Sequence, residues 1–161
     1  MSTRYYENLS PAYLGHYCRR LSNVIVEQSS EILNEMGIVT PSASISAITY
    51  LHKNSPISVA NLAEALGVSH QMATQRVNQL EKLGLIQRIH LEGDKRVKQV
   101  ILTPLAKSEV KRLKPFTKKV DSIFLELEKE LNCQLMSALR KAELSLLDKP
   151  LSQRVKTRGK N

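Results

Sequence analysis

From about Tyr6 to Met36 the chain repeats apolar positions at steps of three and four. Leu14, Cys18, Leu21, Ile25 and Ile32 share a stripe with Gln28, and Tyr17, Val24 and Met36 widen it. That period predicts one long amphipathic helix, which Gly37 closes. A second helix is expected over Ser42–Lys53, carrying Ile45, Ile48, Thr49 and Leu51 and stopping at Asn54-Ser-Pro56. A short third helix follows at Ser58–Leu66 with Ser58 as its N-cap. Gly67 turns the chain, Ser69 caps a fourth helix from His70 to about Leu83, and Gly84 ends it. The period then changes. Leu85–Leu91 and Arg96–Leu102 are β-branched and partly alternating, and they flank Glu92-Gly-Asp-Lys95, so they predict a β-hairpin.

Thr103-Pro104 is an N-cap followed by proline at the first helical position. Leu113, Phe116, Val120, Ile123, Phe124, Leu127 and Leu131 form one helical stripe beyond it, in which Pro115 is expected to make a kink or break. Leu135, Ala138, Leu139, Ala142 and Leu146 form another, with Asn132 capping between them. From Pro150 the composition turns polar and basic, which predicts disorder.

These elements predict a mainly α fold with a small β-wing: a winged helix-turn-helix flanked by a helical dimerisation region from both chain ends. The expected parts are an N-terminal dimerisation helix (1–40), a DNA-binding domain (41–104), C-terminal dimerisation helices (105–149) and a basic tail (150–161). Long helices with wide apolar faces and few neighbours in their own chain need a partner, and a second copy is the simplest one.

The middle of the chain carries the candidate chemistry. In Ile57–Leu80, a short helix turns Leu62, Ala63 and Leu66 inward and a second turns Ala73, Val77 and Leu80 inward, the layout of a helix-turn-helix. His70, Gln71, Thr74, Gln75 and Asn78 then share the opposite face. Amides, a hydroxyl and an imidazole are groups that reach base edges in the major groove. In the hairpin, Asp94 and Arg96 are separated by one residue, so both can point to one side, where the carboxylate can hold the guanidinium extended. An extended arginine at a hairpin tip suits a narrow minor groove. Arg88, His90, Lys95 and Lys98 add candidate phosphate contacts.

Charge adds direction to this picture. The net charge of +9 is spread unevenly: −1 over residues 1–50, +3 over 51–110 and +7 over 111–161, with basic runs at Lys111–Lys119 and after Lys149. A polyanionic partner fits that balance, although each run also reads as a solvated helix face or terminus. The chain has no CxxC, HExxH, GxSxG, Walker-type loop or GxGxxG, which argues against the common enzymes, and the histidines lie in separate elements, which argues against a metal site. It has no apolar run long enough for a membrane span, and its start carries no hydrophobic signal region. With two cysteines besides, a cytoplasmic location is expected.

Three motifs stand in order: Leu62-Ala-Glu-Ala-Leu-Gly-Val-Ser69, Leu80-Glu-Lys-Leu-Gly-Leu-Ile-Gln-Arg88, and Asp94-Lys-Arg96 with Leu102-Thr103 five residues on. Together they resemble the MarR family of bacterial transcription regulators, and the likeness extends over nearly the whole chain. The resemblance implies a winged-helix homodimer on pseudo-palindromic operators, usually a repressor, which in many members a small aromatic ligand or an oxidant releases. By position it assigns Gln71, Met72, Thr74 and Gln75 to the base-facing part of the recognition helix, Arg96 to the wing tip and Asp94 to that arginine's support. The full candidate DNA-contacting set is Ser69, His70, Gln71, Met72, Thr74, Gln75, Arg76, Asn78, Arg88, Lys95, Arg96 and Lys98. Arg76 departs from the family's usual aliphatic residue and Gln79 from its common basic one, so this recognition helix is less cationic.

An effector site is less defined. Tyr13, His16, Tyr17 and His52 are the candidate ligand-lining residues, for a small aromatic effector. One MarR branch senses peroxide through a cysteine in the first helix. Cys18 sits in that helix but on its apolar stripe, so it reads as a core residue before a redox sensor, and Cys133 reads as structural. No cofactor is expected. The alternative to a DNA-reading regulator is a winged-helix module that binds another protein without specific DNA readout.

Overall fold

The computed structural model describes residues 10–91 and 94–158, with no side-chain description for residues 91, 94–97, 157 and 158. Seven α-helices and three strands are assigned among them. They are α1 (Leu14–Glu35), α2 (Ile45–Asn54), β1 (Ile57–Ser58), α3 (Val59–Leu66), α4 (His70–Lys82), β2 (Ile86–Leu91), β3 (Asp94–Leu102), α5 (Pro104–Glu130), α6 (Leu135–Asp148) and α7 (Leu151–Arg158). Two compact units divide the chain between Phe116 and Thr117, inside α5.

In the first unit, a single 3-10 turn (Pro11–Tyr13) leads into α1, which stops where the sequence predicts. Gly37 adopts φ +63°, and the Gly37 and Ile38 amides bond back to Asn34 and Leu33. This closing motif satisfies carbonyls that the helix end leaves open. A side chain at Gly37 would be strained by that φ and would also stand 3.2 Å from the Arg112 guanidinium.

Ser58 and Ser69 cap α3 and α4 as expected: their Oγ atoms accept from the Asn61 and Met72 amides at 3.1 and 3.2 Å. Between the two helices Gly67 takes φ +62°, a left-handed conformation that glycine adopts without the penalty a Cβ carries. Leu62 and Ala63 of α3 meet Ala73, Val77 and Leu80 of α4 in the core, with Ile48, Leu51, Leu85 and Val100 closing around them. Leu66, expected inward, is half-buried.

The predicted hairpin is part of a three-stranded antiparallel sheet of order β1-β3-β2. The extra strand pairs Ile57 with Val100 and Ser58 with Gln99. Two residues show no alternation to detect, so only the tertiary pairing reveals β1. Between β2 and β3 the register runs from Ile86↔Leu102 to His90↔Lys98, with an irregularity after His90. Thr103 ties the sheet to α5: its amide donates to the Leu85 carbonyl at 3.0 Å, and its Oγ1 accepts from the Ala106 amide at 3.3 Å.

At the C-terminal side, the break at Pro115 and the disorder after Pro150 are corrected. Pro115 lies within α5 without ending it. A proline forfeits one backbone hydrogen bond, and the burial of Leu113 and Phe116 on either side holds that turn in place. The segment after Pro150 is helical to Arg158 rather than disordered. Arg154 reaches back there, donating from Nε to the Lys149 carbonyl at 2.7 Å and from Nη2 to the Ser145 carbonyl at 2.6 Å. These bonds satisfy carbonyls at the end of α6 and fix the start of α7.

Candidate nucleic-acid interface

α4 is held against the first unit by Ala73, Val77 and Leu80, each fully buried. A helix turned this way must present its other face outward, and His70, Gln71, Gln75, Asn78 and Gln79 are all exposed. Ser69 is exposed as well, its hydroxyl engaged in the cap. Met72 is 45% exposed, a large apolar side chain open to solvent beside those amides. Thr74 and Arg76 are half-buried on the flanks. The fold thus brings nearly all of the α4 candidates onto one open surface.

Arg88 is placed differently from its neighbours in that set. From β2 its Nη1 pairs with Glu81 of α4, and its Nη2 donates to Asn78 Oδ1 at 2.6 Å. Glu81 is not among the residues that the sequence singles out. Its place in the Leu80–Arg88 motif, seven residues before Arg88, is the available signal, but nothing local shows that a helix and the next strand will bring the two together. Lys98 is exposed on β3, paired across the sheet with His90. The strand backbone includes Asp94, Lys95 and Arg96, but their side chains lie outside the described residues, so the wing-tip arginine and its supporting carboxylate stay expectations.

A second polar centre of this unit is invisible to sequence reasoning. Glu109 of α5 is 3% exposed. Its Oε2 accepts from the Val39 amide (2.8 Å), the Thr40 amide (3.1 Å) and Thr40 Oγ1 (3.2 Å), while Oε1 accepts from Arg112 Nη1 at 3.2 Å. Arg112 also donates from Nη2 to the Met36 carbonyl. The corner between α1 and α2 is therefore pinned to α5 by one buried carboxylate, which satisfies the Val39 amide and the buried Thr40 amide, a donor that burial would otherwise leave unpaired. The sequence shows the i, i+3 spacing of Glu109 and Arg112 but not the burial.

The ligand and redox candidates are not gathered into one site. His16 and Tyr17 pack edge to face with ring centroids 6.5 Å apart, and Tyr13, in the turn before α1, and Tyr17, on α1, are exposed. His52 is exposed on α2. None of the four lines the cleft of about 490 Å³ in the second unit, which Leu125, Glu128, Lys129, Asn132, Cys133 and Gln134 surround. Cys18, read as a core residue, is exposed, as is Cys133. The reason lies in α1 itself: Leu14, Tyr17, Leu21 and Val24 of its stripe are exposed, and the helix becomes buried only at Ser29 and Leu33. Among the described residues no cluster of metal-ligating side chains occurs, and no helix is long and apolar enough to cross a membrane.

A capped helix-turn-helix followed by a hairpin that closes a small sheet defines the winged-helix class. The MarR family model matches residues 30–98, the segment that holds the helix-turn-helix and most of the hairpin; that family is one of transcription regulators, not enzymes. Solved structures share the fold. The MepR–DNA complex of S. aureus is 20% identical with a TM-score of 0.68, covering 86% of this chain and 99% of that one. BldR of Sulfolobus solfataricus is 18% identical with a TM-score of 0.61, covering 85% and 99%. The heme sensor PefR of Streptococcus agalactiae, solved with heme, is 21% identical with a TM-score of 0.58, covering 91% and 97%. No curated protein matches the chain in sequence.

Proposed function

We propose that this protein is a cytoplasmic transcriptional regulator, a repressor, that binds pseudo-palindromic double-stranded operators as a homodimer. α4 enters the major groove and the Arg96 wing enters the flanking minor groove. Residues 41–104 serve as the DNA-binding part, and residues 1–40 and 105–149 serve dimerisation. The observation that carries this reading is the open face of α4: an exposed row of amides on a helix anchored by three fully buried side chains. Base edges return the hydrogen bonds that such a face gives up to leave water, so its desolvation is offset. The S. aureus neighbour solved as a DNA complex and the heme-bound neighbour support the DNA partner and a small effector. Tyr13, His16, Tyr17 and His52 are the residues to test for the effector, and Cys18 for an oxidant.

The test is selection of random duplex DNA by the purified protein, with the enriched sequences re-measured across a salt series. An inverted repeat with half-sites roughly one helical turn apart is expected, bound with affinity that falls steeply with salt. Weak binding to any duplex without enrichment would instead favour the protein-interaction module. In the same assay Arg96→Ala should weaken binding to all sequences.

A further inference from the structure

The open face of α4 is informative for the chemistry missing from it. Base edges are met mainly by the N-terminal turns of a recognition helix. Over those turns, the positions opposite the buried Ala73 and Val77 are Gln71 and Gln75, one helical turn apart and both exposed. Arg76, the one arginine of the α4 sequence, is half-buried on the flank beside Val77. Among the described residues, Arg88 brings a further guanidinium to this surface, and it is engaged with Glu81 and Asn78. That second bond also occupies the Asn78 amide oxygen, which an amide needs free to chelate a base.

Major-groove edges differ in what they ask for. Guanine offers two acceptors, N7 and O6, and is met by a group with two donors, usually a guanidinium. Adenine offers the N7 acceptor beside the N6 donor, and is met by a group with one of each. A glutamine amide is such a group: Nε2 donates to N7 while Oε1 accepts from N6. Gln71 and Gln75 are ~6 Å apart along the helix axis, so they address separate base pairs. Met72 flanks them with exposed apolar surface suited to the thymine methyl.

We propose that Gln71 and Gln75 are specificity-determining residues that each read an adenine, so that the major-groove positions facing α4 in each half-site are A·T pairs and no arginine–guanine contact sets them. This inference rests on the DNA-reading function proposed above.

The experiment uses the full chain. The best selected site is rebuilt with 7-deazaadenine, which lacks N7, at the positions where Gln71→Ala and Gln75→Ala relax selection, and separately with 7-deazaguanine at its guanines. Each 7-deazaadenine should weaken binding on the order of tenfold, and 7-deazaguanine should not. Gln75→Glu should move the preference at its pair from adenine to cytosine, because a carboxylate only accepts and cytosine N4 donates. A gained preference cannot be produced by a misfolded variant. A selected repeat whose α4-facing pairs are G·C, or an A·T site indifferent to 7-deazaadenine, overturns the adenine readout while DNA reading stands. A pool with no enriched sequence overturns the DNA-reading proposal and this inference together.

Discussion

Arg88 faces two residues of α4 with a guanidinium that the sequence marks as a phosphate contact. Its bonds to Glu81 and Asn78 suit a second role, fixing the last turns of α4 against β2. The two roles have different signatures. If Arg88 bonded a phosphate, Arg88→Ala would reduce the salt slope of binding by about one and weaken all sequences alike. If it positions the helix, the same substitution should leave the slope unchanged and narrow the gap between operator and random DNA. The latter is expected, with a stability loss of no more than about 1 kcal/mol, since Glu81 is 39% exposed at its side chain. Binding isotherms on operator and random duplex at several salt concentrations measure both. Glu109 is the opposite case, because it is itself buried and accepts from the buried Thr40 amide and the part-buried Val39 amide. Glu109→Ala leaves the amides of Val39 and Thr40 without an acceptor and should cost about 3 kcal/mol in urea unfolding, while Glu109→Gln, which keeps one oxygen, should cost less. Equal losses would mean that the charge of Glu109, not its hydrogen bonding, holds the corner.

At the scale of elements, helix boundaries are legible because single residues set them. Ser58, Ser69, Gly37, Gly67 and Gly84 mark starts and stops through one hydrogen bond or one positive φ each, and every one stands where the sequence places it. Ser69→Ala removes the cap on the end of α4 that is proposed to enter the groove, and should lower stability by about 1 kcal/mol. It should also weaken operator binding beyond that loss, because Gln71 sits in the turn that frays. Hydrogen exchange at the Met72 amide, which donates to the Ser69 hydroxyl, reports the fraying directly. What escapes the sequence depends on partners far along the chain. β1 exists only through its pairing with β3, and α7 starts where Arg154 meets carbonyls of Ser145 and Lys149. The candidate site divides the same way. The outward face of α4 follows from periodicity alone, whereas the engagement of Arg88 requires the strand to return beside the helix.

For the whole molecule, the decisive feature is apolar surface that one chain does not cover. In the first unit, Tyr13, Leu14, Tyr17, Leu21 and Val24 run exposed along the start of α1. In the second, Ile123, Leu125, Leu131, Met136, Leu139 and Leu147 are exposed on α5, α6 and the turn after α5. Large apolar side chains left open on a folded chain suit an interface, and their presence in both units fits the proposed dimerisation through both chain ends. Cys18 shares the α1 stripe and is exposed in a single chain, so the proposed dimer would bury it as well. Sedimentation should therefore give twice the 18.2 kDa chain mass, and the melting temperature should rise with protein concentration. Leu21→Glu with Val24→Glu places two carboxylates in that surface without touching any residue buried in the first unit's core. This double variant should shift the chain to monomer at micromolar concentration, keep the α-helical signal of the winged helix, and bind a full inverted repeat no better than a single half-site. A monomeric native chain would remove the pseudo-palindromic operator from the proposal. A double variant that stays dimeric would move the interface from α1 to the second unit, where Leu139→Glu with Leu147→Glu makes the corresponding test.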